Sequence, residues 1–276
     1  VDIKQKFLLD LLEDINARKL VLPSLPDLAI KVRQIVEDPT SNAAKVAKIV
    51  GTDAALSARL LQVANSVYYR GHAAVEDLQA AVARLGSNVV RNLVTGFVLR
   101  QLYQSKSSAQ TKRRLQALHE HNVRVAAYSQ VLARKFTSLK PDVAMLGGII
   151  HRIGVLPILI RADTCPELMD DQEALDDVID KLHPIVGKAM LESWNFPTIL
   201  ISVVVEHGDL QRDSGPQADY ADIVTVALLH SHLDKDHPLQ WDEVPAFRKL
   251  GLNAKQHIEA MKEARDELLE VQKLLG

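Results

Sequence analysis

Through most of the chain, apolar residues recur every three to four positions, as on the buried face of an amphipathic helix, and no stretch alternates as a half-buried strand would. Phe7, Leu8, Leu11, Leu12 and Ile15 set the pattern near the start, with Lys, Asp and Glu between them. The β-branched run Ile199–Val205 could pass for a buried strand, but it follows Pro197 in a helical neighbourhood and is read as helix. The expectation is an all-α fold. Aromatic residues at 4% and abundant Ala, Leu and Val agree with packed helices.

Punctuation divides the period into short helices. Leu22-Pro23-Ser24-Leu25-Pro26 breaks the first, and Pro26 can open a second that reaches Glu37 before Asp38-Pro39. Thr40 or Ser41 is expected to cap the next, ending at Gly51. Thr52 or Asp53 should cap a helix carrying Leu56, Leu60, Leu61 and Val63, with Asn65 turning the chain at its end. A helix over 76–85 stops at Gly86, and a Ser87-capped helix runs to about Tyr103. Residues 104–110 are polar and aperiodic, so the chain is divided into two packed helical subdomains, 1–104 and 110–276. Helices are expected beyond the joint over 111–136, 142–161, 166–181, 184–194, 197–207, 218–234 and 253–275.

Charge excludes several classes of partner. The 276 residues carry a formal net charge of −2 with both signs interspersed, no footprint for nucleic acid or an anionic membrane. The basic run Lys112-Arg113-Arg114 reads as a solvated helix start. Cys165 stands alone, so no internal disulfide can form. Neither a signal peptide nor a charge-free run of about 18 apolar residues was found. A cytoplasmic location is expected.

Four histidines lie in or beside apolar helical segments: His121, His151, His183 and His207. A lone histidine is ordinarily a packed or hydrogen-bonded residue, and only the arrangement of several suggests a site. His119 lies two residues from His121 and so on another helix face. His230, His232 and His237, among Lys and Asp, read as a solvated helix end. Gly147-Gly148 follows no strand and is read as a helix-packing site.

The motifs resemble those of the HDOD family, a degenerate branch of the HD metal-dependent phosphohydrolase superfamily. Leu22-Pro23-Ser24-Leu25-Pro26, Leu61-Gln62-Val63-Ala64-Asn65-Ser66 and Ala81-Val82-Ala83-Arg84-Leu85-Gly86 resemble that family's "LPxLP", "LLxxANS" and "AIxxLG" blocks, in order and spacing. Gly187, Leu191, Trp194, Phe196, Pro197 and Glu206-His207 resemble its later segment. In active HD enzymes histidines and aspartates gather divalent metals, where carboxylates offset and bridge the cations and bound water becomes the nucleophile. The resemblance makes His121, His151, His183 and His207 the vestigial metal positions. The Asp of the His-Asp pair is Arg152, the second His of a pair is Gly208, and a late Asp aligns with Leu228.

A guanidinium stays protonated and opposes a dication in its place. No catalytic residue and no cofactor are therefore expected, although a single divalent ion on some of the histidines stays open. The resemblance implies a non-catalytic bacterial signalling module whose pocket, with Arg152, Glu206 and His207, takes a protein partner or a small anionic ligand. A homo-oligomer stays open. The rival reading is a phosphohydrolase with a reduced ligand set. A third is a scaffold whose C-terminal helix, with Ile258, Met261, Leu268, Leu269 and Leu275, docks on another chain. Arg152 is expected to bury part of its side chain against Glu206 first or Asp142 second. Loss of such a buried pair would cost about 3–5 kcal/mol.

Overall fold

A computed structural model describes residues 3–17, 19–104, 106–231, 241–251 and 253–276, and all regular elements among them are helical. The first six helices are α1 (Ile3–Asn16), α2 (Asp27–Glu37), α3 (Ala43–Val50), α4 (Ala54–Asn65), α5 (Leu78–Leu85) and α6 (Ser87–Leu99). Short polar side chains start three of them. Asn42, rather than Thr40 or Ser41, accepts from the Lys45 amide, Asp53 from Leu56 and Asp77 from Ala80. Ser87 is the first residue of α6 and not its cap, because Gly86, at φ 83°, makes the corner with α5. A 3₁₀ turn, Arg100–Tyr103, follows α6.

The recognised motif blocks act as clamps. The Asn65 side-chain amide bonds both backbone groups of Val75 at 2.8 Å, closing the loop that follows α4 as expected of a chain-turning residue. Arg84 spans the same loop, donating to the carbonyls of Ala64 at 3.2 Å and Ala73 at 2.6 Å. Across the molecule, Trp194 Nε1 donates to the Pro23 carbonyl at 3.0 Å, so the first proline-rich block is tied to the later tryptophan segment.

The chain continues through α7 (Ala109–Phe136), α8 (Pro141–Ile150), α9 (Val155–Ala162), α10 (Pro166–Asp170), α11 (Gln172–Ser193), α12 (Thr198–Glu206), α13 (Tyr220–Ser231), α14 (Pro245–Lys249), α15 (Ala254–Glu263) and α16 (Arg265–Leu275). Four expectations fail here. The helix expected over 142–161 is broken by a turn at 151–154, the one over 166–181 is broken at Asp171, and the one over 253–275 is broken at Ala264. The break expected before Pro184 is absent, and α11 runs through it. Pro141–Ala162 also has the length and hydropathy of a membrane crossing, contrary to the expectation from the sequence, but most of it is buried inside the protein.

Buried apolar side chains from Phe7 to Leu275 form one continuous core. Helix α1 packs on α10 and α11, with Lys4 paired to Asp177 and Arg161 to Asp14 at 2.9 Å. At the other end α16 packs on α7 and α4, burying Leu268, Val271 and Leu275. Met261 is buried as well, so the apolar face that the scaffold reading would offer to another chain is covered by the protein itself, and Leu269 is left 53% exposed.

Candidate functional site

Helix α7 supplies His121, α11 supplies His183, and His151 and His207 cap the C-terminal ends of α8 and α12. The four rings meet. Their centroids are 5.6 Å apart for His121 and His151, 4.9 Å for His151 and His207, and 5.5 Å for His183 and His207.

Two glycines permit this approach. A methyl group on Gly148 would lie 2.5 Å from Ala126 Cα, so α8 touches α7 backbone to backbone just before His151. On Gly154 it would lie 2.1 Å from the His183 carbonyl oxygen and 2.5 Å from the Gly187 nitrogen. The break at 151–154 thus brings the chain onto α11 beside His183. The Gly147-Gly148 pair is, as expected, a packing device.

His151, His183 and His207 are buried. The carbonyls of Gly148 and Val203 can only accept, so the protons of His151 and His207 sit on Nδ1, at 2.7 and 2.9 Å from those oxygens. The buried Nε2 of His151 and Nδ1 of His183 have no hydrogen-bond partner. Burial keeps the rings neutral. It pushes His151 well below its ordinary value, with the neighbouring histidines adding to the shift. His183 falls to about 3, mainly through burial, with the neighbouring His207 and the Arg152 charge adding to the shift. His207 falls to about 4, again mainly through burial.

Arg152 is not where the sequence suggested. It pairs with Asp180 at 3.2 Å, and the two side chains are 29% and 71% exposed. Glu206 is taken by Arg212 at 2.5 Å and Asp142 by the Asn92 amide at 2.6 Å, so neither is free to meet Arg152. Glu206 and Arg152 therefore do not form the shared site expected with His207. Because the pair reaches solvent through Asp180, and Arg152 Nε is buried without a partner to lose, Arg152→Ala should destabilise the protein by less than about 1 kcal/mol at neutral pH, instead of the 3–5 kcal/mol of a buried pair. Chemical denaturation of the variant at pH 7.5 measures this.

Missed entirely was a second ionic centre. Arg212, reaching Glu206, also binds Asp219 at 2.6 Å and Asp222 at 3.0 Å, while Lys249 reaches Asp222 at 3.3 Å. Asp222 stands on α13, whose Thr225 hydroxyl donates to the His207 carbonyl at 3.0 Å, but its charge is already matched. His230 was misread as well. It and His257 are buried rather than solvated, in a nest of Tyr128, Phe136, Trp241 and Phe247. Both His230 nitrogens are buried without a hydrogen-bond partner. His232 and His237 lie outside the described residues.

A family model for the HDOD domain matches residues 22–210. The chain belongs to the HDOD family. A crystal structure of a putative metal-dependent phosphohydrolase from Shewanella amazonensis SB2B is 27% identical and superposes with a TM-score of 0.86 over 99% of both chains. An HDOD domain protein of unknown function from Geobacter sulfurreducens has the same fold at 19% identity and TM-score 0.70, covering 99% of this chain and 97% of its own. An uncharacterized protein from Treponema pallidum (strain Nichols) is 23% identical over 241 residues, 81% of this chain and 44% of the relative, so the chain spans under half of that relative's length.

The superfamily's paired metals do not fit the residues present. The Nδ1 protons of His151 and His207 point to carbonyls, as they do in metal-ligating histidines, but burial holds His151, His183 and His207 as neutral imidazoles. No carboxylate joins them to offset or bridge two cations, and among the described residues no three His, Cys, Asp or Glu side chains are placed to hold an ion. Arg152 adds positive charge to the cluster. In this HDOD chain four histidine rings converge beside Arg152 with no acid described among them.

Proposed function

We propose that this HDOD protein is a non-catalytic signalling module of a bacterial cytosol, responding to a small anionic ligand or a protein partner. The observation that carries the reading is the acid-free histidine cluster beside Arg152, where metal-dependent phosphoester hydrolysis needs carboxylates. A fold shared with a putative signal transduction protein from Marinobacter aquaeolei VT8 agrees with it, at 18% identity and TM-score 0.58 over 99% of this chain and 66% of the other. The competing reading, a metal-dependent phosphohydrolase, draws on the Shewanella likeness and on the unpartnered Nε2 of His151.

Protein purified without chelator and loaded with Mn²⁺, Fe²⁺, Ni²⁺ or Mg²⁺ separates the two. Less than one metal per chain and no hydrolysis of bis(p-nitrophenyl) phosphate or a cyclic dinucleotide above the metal-only rate are expected. Two bound metals, with turnover abolished by His151→Ala, would establish the enzyme instead.

A further inference from the structure

The histidine cluster is not where charge is left open to a ligand. A cavity of about 470 Å³ lies between α2 and α6 on one side and α8, α12 and the start of α13 on the other. Its charged lining is Arg33, Arg91, Lys140 and Glu37, a net charge of +2. Among the described residues, neither Arg91 nor Lys140 has a carboxylate within ion-pair distance. Arg91 is partly buried and Lys140 is exposed at the cavity mouth, whereas Arg152 and Arg212 elsewhere in the protein each meet an acid.

The wall is built in advance. Buried Asp142 accepts from Asn92 Nδ2 at 2.6 Å, and Asn92 Oδ1 accepts from Arg91 Nε at 3.3 Å, so a buried acid orients Arg91 through an amide and leaves its outer nitrogens unengaged. Arg33 donates to the Trp194 and Asn195 carbonyls at 2.7 and 2.6 Å, fixing the turn at which Asn195 adopts φ 53°. It also lies 5.0 Å over the Phe196 ring. Val143, Leu146 and Leu200 make an apolar floor, and Tyr220 adds an aromatic edge.

Cations lining a cavity with an apolar floor suit a molecule that is anionic at one end and flat and apolar at the other. The volume is within the roughly 300–1,000 Å³ typical of small-molecule sites. We propose that this cavity binds a small organic phosphate of nucleoside monophosphate size, with Arg91 and Lys140 on the phosphate and the body on Val143, Leu146 and Leu200. The proposal rests on the non-catalytic, ligand-binding reading above and moves its ligand away from Arg152 and His207.

Calorimetric titration of the full chain with adenosine monophosphate, adenosine and inorganic phosphate tests it. Adenosine monophosphate should bind, with adenosine at least about tenfold weaker, the equivalent of one charge-assisted contact. Added salt should weaken binding. Arg91→Ala and Lys140→Ala should each reduce affinity about tenfold with thermal melts unchanged, and Arg152→Ala and His151→Ala should bind as the parent does. No binding at millimolar adenosine monophosphate overturns the proposal, and so does equal binding of adenosine. Loss of binding in Arg152→Ala but not in Arg91→Ala would place the anion at the histidine cluster, ending this proposal while sparing the non-catalytic reading. Metal-dependent turnover would do the reverse.

Discussion

Acidification from pH 7.5 to pH 5 should bring the protein close to unfolding. His183 and His230 are held to about 3 and His207 and His257 to about 4, each mainly by burial, and His151 well below its ordinary value. An unfolded histidine titrates near 6.5, so below that pH the unfolded chain binds protons that the folded protein refuses, and stability falls with pH. The loss is about 1.4 kcal/mol per pH unit for each such ring, or roughly 2 kcal/mol per histidine at pH 5. His151, His183, His207 and His230 together lose an amount within the 5–15 kcal/mol that typically holds a domain. Denaturant titrations at pH 7.5 and pH 5 measure the loss. His230→Phe places a ring without titratable nitrogens in the same aromatic nest and should retain roughly 2 kcal/mol more stability at pH 5 than the parent chain. A stability that changes by less than about 1 kcal/mol between the two pH values would contradict the buried, neutral state of these rings.

Gly154→Ala should be the most damaging single methyl group in the protein. The added carbon would meet the His183 carbonyl and the Gly187 amide, both backbone atoms in packed α11, so relief requires moving a helix. A loss above about 4 kcal/mol, or no folded protein, is expected. The control is Gly208→Ala, where an added methyl has nothing within 4 Å and the change should stay within about 0.5 kcal/mol. Thermal melts of both variants decide the point, and a Gly154→Ala protein as stable as the control would show that the close approach does not hold the cluster together.

These two glycines also show how far sequence reasoning reached. The helices and most of their ends follow from local chemistry, because Asp53, Gly51 and Gly86 act within a turn or two of their own position. The break at 151–154 does not, since its cause is the backbone of a helix about 30 residues away. Pro184 misled in the opposite direction. Its missing amide argued for a stop, but α11 is packed against α9 and α12 and continues. In the site, His121, His151, His183 and His207 could be placed through the family's motif order, but the partner of Arg152 could not. Glu206 was claimed by Arg212, six residues on, in a stretch that showed only turn-forming polarity.

The crossed packing of the terminal helices bears on how a signal could leave this molecule. Helix α1 lies on α10 and α11, beyond the polar joint from its own neighbours, and α16 reaches back to α4, where Glu270 accepts from the Val67 amide at 3.2 Å. Two parts joined by a single thread can swing like a door. Here the parts are laced by both end helices, so swinging them apart would peel two apolar faces into water. A molecule bound at the seam between α2 and α12 would act on a laced body, changing how firmly the lacing holds and how readily α1 or α16 lifts away, more than the angle between its parts.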